Sequence, residues 1–178
     1  MRKRVFILVV ILISLLATAA FGGWKLGSYK DSSTRQTKWY LVSDYVLGIV
    51  ADTDEYCPLT AATFISYNYE YNTLVTSITF SPLVDLLNME GTVYNNMLFF
   101  ETWVMWDDKI EKVEMTKLTN TAPLMFTNQN FVINKIRNSK TMLVELNLIG
   151  YGTVYYVFDL KGSSAAIDNL LYNVKVYK

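Results

Sequence analysis

The sequence predicts a mainly β fold of the α+β type: an antiparallel, sandwich-like domain with two or three short helices, preceded by an N-terminal hydrophobic helix. Three observations predict it. From Trp39 onward apolar and polar residues alternate with a period of two, the signature of half-buried strands. The composition is rich in 13 Tyr and 9 Phe, with many Val, Ile and Thr, residue types that suit a pleated, half-covered surface. Ahead of this stands an unbroken apolar run, Val5 to Ala20, behind Arg2, Lys3 and Arg4.

That first segment has the layout of a secretory signal: a basic start, an apolar run and small residues at its end. As a helix, Val5 to Ala20 rises about 24 Å at roughly 1.5 Å per residue, short of a hydrocarbon core of about 30 Å. Phe21, Gly22, Gly23 and Trp24 lengthen it toward a span, with Trp24 suited to the interface. Ala17-Thr18-Ala19 is a pattern that a signal peptidase cuts. Residues 1–24 therefore read as a cleaved signal peptide or a retained anchor. Either way the remainder is expected outside the cytoplasm, periplasmic or anchored to the inner membrane. Residues 25–38 are polar and aperiodic and read as a linker. Residues 39–178 read as one exported domain, long enough to bury a core.

Within it, Thr63, Ile65, Tyr67, Tyr69 and Tyr71 fall on one face of a strand. After a turn near Asn72, Leu74, Thr76, Ile78 and Phe80 continue on a second, forming a hairpin. Ser81-Pro82 ahead of Leu83 to Met89 has the cap-and-proline form of a third, short helix. Asn95-Asn96 breaks another strand pair and Asp107-Asp108-Lys109 supplies the next turn. Thr127 or Asn128 caps a helix over 129–138, where Phe131, Val132, Lys135 and Ile136 make an amphipathic stripe. Strands at Thr141 to Leu148 and Thr153 to Leu160 are joined by Gly150-Tyr151-Gly152. A last helix runs from Gly162-Ser163-Ser164 to about Tyr172. Gly162 permits the turn into it, Ser163 or Ser164 caps it, and Asp159 accepts hydrogen bonds from the turn.

Charge and residue counts exclude several functions. The chain has 16 basic and 16 acidic residues; without Arg2, Lys3 and Arg4, 13 basic residues face 16 acidic ones, a net charge of −3. Nucleic acid, which wants a basic face, is not an expected partner. With no histidine, Ser-His-Asp and Cys-His catalysis and the usual zinc sites are removed together. Cys57 is alone, so no internal disulfide forms; it reads as a buried thiol or an inter-chain bridge. No cofactor is implied.

The candidate sites are few. Asp52, Asp54 and Glu55 cluster oxygens of the kind calcium takes, yet lack the loop spacing of an EF-hand; a solvated loop before Cys57-Pro58 is the favoured reading. Asp107, Asp108, Glu111 and Glu114 can supply the carboxylate pair of a glycoside hydrolase, which stands about 5–10 Å apart; a charged turn explains them too. The aromatic residues Tyr67, Tyr69, Tyr71, Trp103 and Trp106 are the binding candidates, because Tyr and Trp give contact area at low entropic cost. Cross-strand packing is the competing explanation. Trp103 and Trp106 fall on opposite faces of one strand, one in the core and one open.

Two stretches carry a family resemblance: Ser139-Lys-Thr-Met-Leu-Val-Glu-Leu146, and Gly150 to Leu170 with its Phe158-Asp159-Leu160, Gly162, Ala166 and Leu170. They resemble the C-terminal half of the VasI-like family, exported accessory proteins of type VI secretion with relatives in phages and other mobile elements. Trp106-Asp107-Asp108, then Ala122, Met125 and Phe126, match the family's central strand and the approach to its helix. The resemblance covers residues 100–171. It implies a sandwich-like fold and carries over no catalytic residue. The cysteine pair common in the family is missing.

The expected function is thus a non-catalytic exported or membrane-anchored envelope protein that binds another protein, accessory to a secretion system or a phage–host interaction. A ligand- or peptidoglycan-binding module using an aromatic sheet face is the alternative, and a carboxylate-based hydrolase a third. The partner expected is an envelope or membrane protein, with self-association left open.

Overall fold

The computed structural model describes residues 23–53, 55–82, 90–118 and 123–177. The N-terminal hydrophobic segment, Asp54 and the helix expected over Leu83 to Met89 lie outside them. The described chain alternates strands in hairpin order: β1 (Lys25–Lys30), β2 (Thr37–Val42), β3 (Val46–Val50), β4 (Tyr56–Asn68), β5 (Thr73–Ser81), β6 (Thr92–Tyr94), β7 (Met97–Trp106), β8 (Lys109–Leu118) and β9 (Leu124–Phe126). Helix α1 (Gln129–Asn138), β10 (Thr141–Leu148), β11 (Gly152–Asp159) and helix α2 (Ser163–Val176) follow.

The sandwich expectation is overturned. Eight antiparallel strands close on themselves in the circuit β3–β4–β5–β9–β8–β7–β10–β11 and back to β3. The alternation of buried and exposed residues along a strand is the same in a sandwich and a barrel. The difference lies in long-range pairings that no local pattern encodes: Gly48 opposite Tyr156, and Ile78 opposite Leu124.

β4 organises the circuit. One edge of this 13-residue strand pairs with β3 over Tyr56 to Ala61 and then with β2 over Phe64 to Ser66, while the other pairs with β5 from Thr60 to Asn68. The register on β3 shifts between Leu47 and Gly48, leaving Pro58 and Leu59 without partners there. A bulge is where a strand tolerates proline, which has no N–H to donate. β1 and β2 leave the barrel as a hairpin wing, so the stretch expected to be a linker is a strand, a turn over 31–36 and the start of a second strand. Trp24, expected at a membrane interface, is buried in the core.

An eight-stranded barrel is just wide enough for side chains to fill. Phe100, Val104, Trp106, Met115, Val144, Tyr156 and Phe158 point inward and are buried. Small residues make room for them: a Cβ on Gly48 would lie 2.8 Å from the Tyr156 ring. The Tyr156 hydroxyl ends 3.9 Å from Cys57 Sγ, and burial pushes its pKa up, with the Cys57 thiol adding to the shift. Cys57 is a fully buried thiol.

The seam between β5 and β9 holds only two register pairs, Ser77–Met125 and Ile78–Leu124. Beyond them a side chain substitutes for a strand. Gln129 Oε1 accepts from Thr76 N (2.6 Å), and Gln129 Nε2 donates to Thr76 O (3.3 Å) and to Phe126 O. A buried backbone amide left unpaired is costly, so the first residue of α1 seals the wall. At the short β10–β7 ladder, Thr102 Oγ1 likewise donates to Glu145 O.

Helix α1 matches its sequence expectation at both ends. Asn128 caps it by accepting from Phe131 N (3.2 Å), and Val132 and Ile136 are its buried side. Helix α2 runs one turn further than expected, to Val176. Gly162 makes the turn at φ 79°, and Asp159 accepts from Lys161 N (3.0 Å) as expected. The serine cap does not form. Ser163 Oγ instead donates to Ile136 O (2.6 Å), satisfying a free carbonyl at the end of α1 and fastening the two helices together.

Asp107, with a φ of 56° in the β7–β8 turn, has a clamping role. Its Oδ1 accepts from Lys140 N (2.8 Å) and Thr141 N (3.0 Å), tying the turn to the start of β10. These bonds, led by the one from Thr141, hold its carboxyl below the usual range.

Two outcomes follow. Gln129→Ala should lower unfolding stability by about 1–3 kcal/mol, because three backbone groups, Thr76 N, Thr76 O and Phe126 O, lose a partner. Asn130→Ala beside it, which is exposed, should stay within about 0.5 kcal/mol; urea unfolding checks both. Asp107 has a lower pKa folded than unfolded, so its stabilisation is full above the unfolded value, about 3.9. It is lost as pH falls through the folded value. Urea midpoints measured between pH 6 and pH 2 should therefore fall less steeply in Asp107→Asn than in the parent.

Candidate functional site

The outer wall of the barrel carries an apolar row. Directly opposed residues in antiparallel strands share a face. Val157 of β11 opposes Leu143 of β10, which opposes Met105 of β7, which opposes Ile110 of β8. Their neighbours Tyr156, Val144, Val104 and Trp106 are buried inside, so these four point outward. Val157 and Ile110 are exposed, as is Trp103 beside Met105 on the same face of β7, 47% accessible. A parallel row runs Tyr56, Ile49, Tyr155 and Glu145. The outer positions of an antiparallel barrel are ordinarily polar, so an apolar row across four strands departs from the usual pattern. Its margin is charged: Lys112 bridges Glu101 at 2.5 Å and places its ammonium 6.0 Å from the centre of the Trp103 ring.

A second feature lies where the β1–β2 wing leaves β4. There a cleft of about 370 Å³ is lined by Tyr29, Lys38, Phe64, Tyr67, Asn68 and Tyr69, among others. Tyr67 and Tyr69 pack edge to face, with ring centres 5.0 Å apart. The Tyr69 hydroxyl donates to Thr37 O (2.9 Å), and its ring carries the Lys38 ammonium at 4.5 Å. Burial, with Tyr67 second, raises the Tyr69 pKa. The opposite rim is the turn at Asp31, whose carboxylate accepts from Ser33 Oγ (2.6 Å), Ser33 N and Thr34 N (both 2.9 Å). Those bonds lower its pKa to about 2.

The five aromatic candidates from the sequence thus separate. Tyr67 and Tyr69 share the cleft. Tyr71 is exposed in the turn after β4, because the strand ends at Asn68, whose Oδ1 accepts from Glu70 N (3.0 Å) and Tyr71 N (3.1 Å). Trp103 belongs to the outer wall and Trp106 to the core. The wall was missed because Val157, Leu143, Met105, Trp103 and Ile110 sit on four strands; only Trp103 signalled it, as a large residue at an outward position.

The carboxylates do not assemble into a catalytic pair. Asp107 is occupied as a clamp, Glu111 pairs with Lys135 at 2.7 Å, Asp108 is exposed in the turn, and Glu114 stands opposite Glu101 on β8. Asp52 and Glu55 are exposed and Asp54 lies outside the described residues. Among the described residues, no group of three or more Asp, Glu or Cys side chains is placed to hold a metal.

No family model matches the chain, and no curated protein matches it. Among solved structures it is similar to the invasion associated protein B of Bartonella henselae, with a TM-score of 0.52 over 87% of this chain and 96% of that one. At 12% sequence identity the likeness is one of fold, and it is with a chain of nearly the same extent.

Proposed function

We propose that this protein is a non-catalytic, exported envelope protein that binds another protein through the outer wall of its barrel. The observation that carries the reading is the row Val157, Leu143, Met105 and Ile110, with Trp103 beside it: an apolar centre within a charged margin, the anatomy of a protein interface. The interior is filled mainly by apolar side chains, with buried threonines among them, unlike the polar, water-filled lumen of a membrane-spanning porin, so the wall is suited to a protein rather than to lipid all round. The dispersal of the carboxylates favours binding over hydrolysis.

Export rests on the N-terminal segment, with its basic start, apolar run and Ala17-Thr18-Ala19. Among the described residues no helix is long and apolar enough to cross a membrane, which leaves residues 1–22 as the segment that either directs export or anchors the chain. The resemblance of residues 100–171 to the VasI-like family supplies the class of partner: a component of a secretion apparatus or of a phage–host interaction.

Chemical crosslinking of the full chain in its native membrane fraction, read by mass spectrometry, tests the interface. The parent should yield a discrete protein partner, and the double variant Val157→Glu, Ile110→Glu should lose most of it at an unchanged urea midpoint. Equal recovery of that partner by the double variant would refute the wall as the interface. A phosphatase reporter that is active only outside the cytoplasm, fused after Lys178, should be active; an inactive fusion would refute export.

A further inference from the structure

The cleft beside the β1–β2 wing has features that packing does not require. Tyr40 opposes Gly27 on the outer face of the wing, and a Cβ on Gly27 would lie 2.4 Å from Tyr40 Cζ and 2.5 Å from its hydroxyl oxygen. The Tyr40 ring therefore lies flat on the backbone of β1, in space only glycine leaves free. Covering a strand glycine with a ring is a stabilising device in itself, but the rings continue beyond it. Tyr29 lies 6.3 Å from Tyr40 on one side. On the other, Phe64 stacks on it at 5.1 Å with an interplanar angle of 22°. The result is a shallow aromatic floor across three strands, ending at a 56% exposed Tyr29 and opening into the cleft that Tyr29 and Phe64 line.

The polar groups around this floor have unused hydrogen-bonding capacity. Asn68 is oriented by two bonds to its Oδ1, which leaves its NH2 group available. Among the described residues, the Glu70 carboxylate and the Ser66 hydroxyl have no hydrogen-bond partner, and the Lys38 ammonium rests on the Tyr69 ring. The cleft thus offers donors and acceptors, both charge signs and flat apolar surface within the size range of a small-ligand site.

We propose that this cleft binds a neutral saccharide. A pyranose presents a C–H face that lies on an aromatic ring and a rim of hydroxyls that both donate and accept. Tyr29 and Phe64 supply the surface for the first, and Asn68, Ser66, Lys38 and Glu70 the complement to the second. The two carboxylates, Asp31 and Glu70, disfavour phosphate and nucleic acid, which leaves a hydroxyl-rich uncharged ligand as the chemistry that uses both signs. This site is separate from the apolar wall and stands or falls independently of it.

The test is a titration of the 15N-labelled full chain, held in a detergent without a sugar headgroup, with N-acetylchitotriose and with cellotriose. Saturable shifts are expected at the Ser66 and Asn68 amides with one of them. Tyr29→Ala and Glu70→Gln should each weaken that binding about tenfold or more, and Tyr172→Ala, on the exposed side of α2, should bind as the parent does. No saturable shift with either trisaccharide would overturn the proposal. So would undiminished binding by both Tyr29→Ala and Glu70→Gln, two surface variants that leave the fold intact.

Discussion

The double use of β4 is the constraint on which the rest depends. A strand has two edges, and this one serves three neighbours: β5 along one edge, and β3 then β2 along the other. Where β3 holds the edge, the sheet curls and closes. Past Ala61, where β2 takes over from Phe64 on, the sheet leaves the circuit as a wing. Closure creates the outer wall, and departure of the wing creates the cleft. Both candidate surfaces are consequences of one strand being long enough to change partners.

Closure is completed by side chains as well as strands. The β5–β9 seam is too short to satisfy the Thr76 backbone, so the Gln129 amide reproduces the geometry of a missing strand. Helix α1 is held over the same seam by Val132 and Ile136, and α2 is latched to it by Ser163 and by the Arg137–Asp168 ion pair at 2.8 Å. The helices are therefore part of the wall's integrity. This explains why a sequence without internal disulfides can hold a barrel whose ladders include stretches of two or three pairs.

Features with a local cause were legible in the sequence. The Asn72 and Asn95-Asn96 turns, the β10–β11 hairpin, the Asn128 cap and the Asp159–Gly162 turn all depend on side chains within a few residues of one another. The linker over residues 25–38 was misread because the inward faces of β1 and β2 are covered by α2, more than 120 residues away, so the short segments carry little alternation of their own. The sandwich was misread because alternation tells which side of a strand is buried and not which strand lies beside it. The tyrosine ladder failed at Asn68, where a side-chain acceptor turned the chain three residues before Tyr71. The apolar wall was invisible for a related reason: Val157, Leu143, Met105 and Ile110 become neighbours only through pairings among four strands.

Closure at the β5–β9 seam is tested most directly by amide hydrogen exchange combined with cross-strand nuclear Overhauser effects. A closed barrel predicts a slowly exchanging Thr76 amide, although no strand pairs with it there, and a backbone contact between Ile78 and Leu124. Fast exchange at Thr76 with no Ile78–Leu124 contact would mean that the two edges stand open as in a sandwich, and would contradict the barrel.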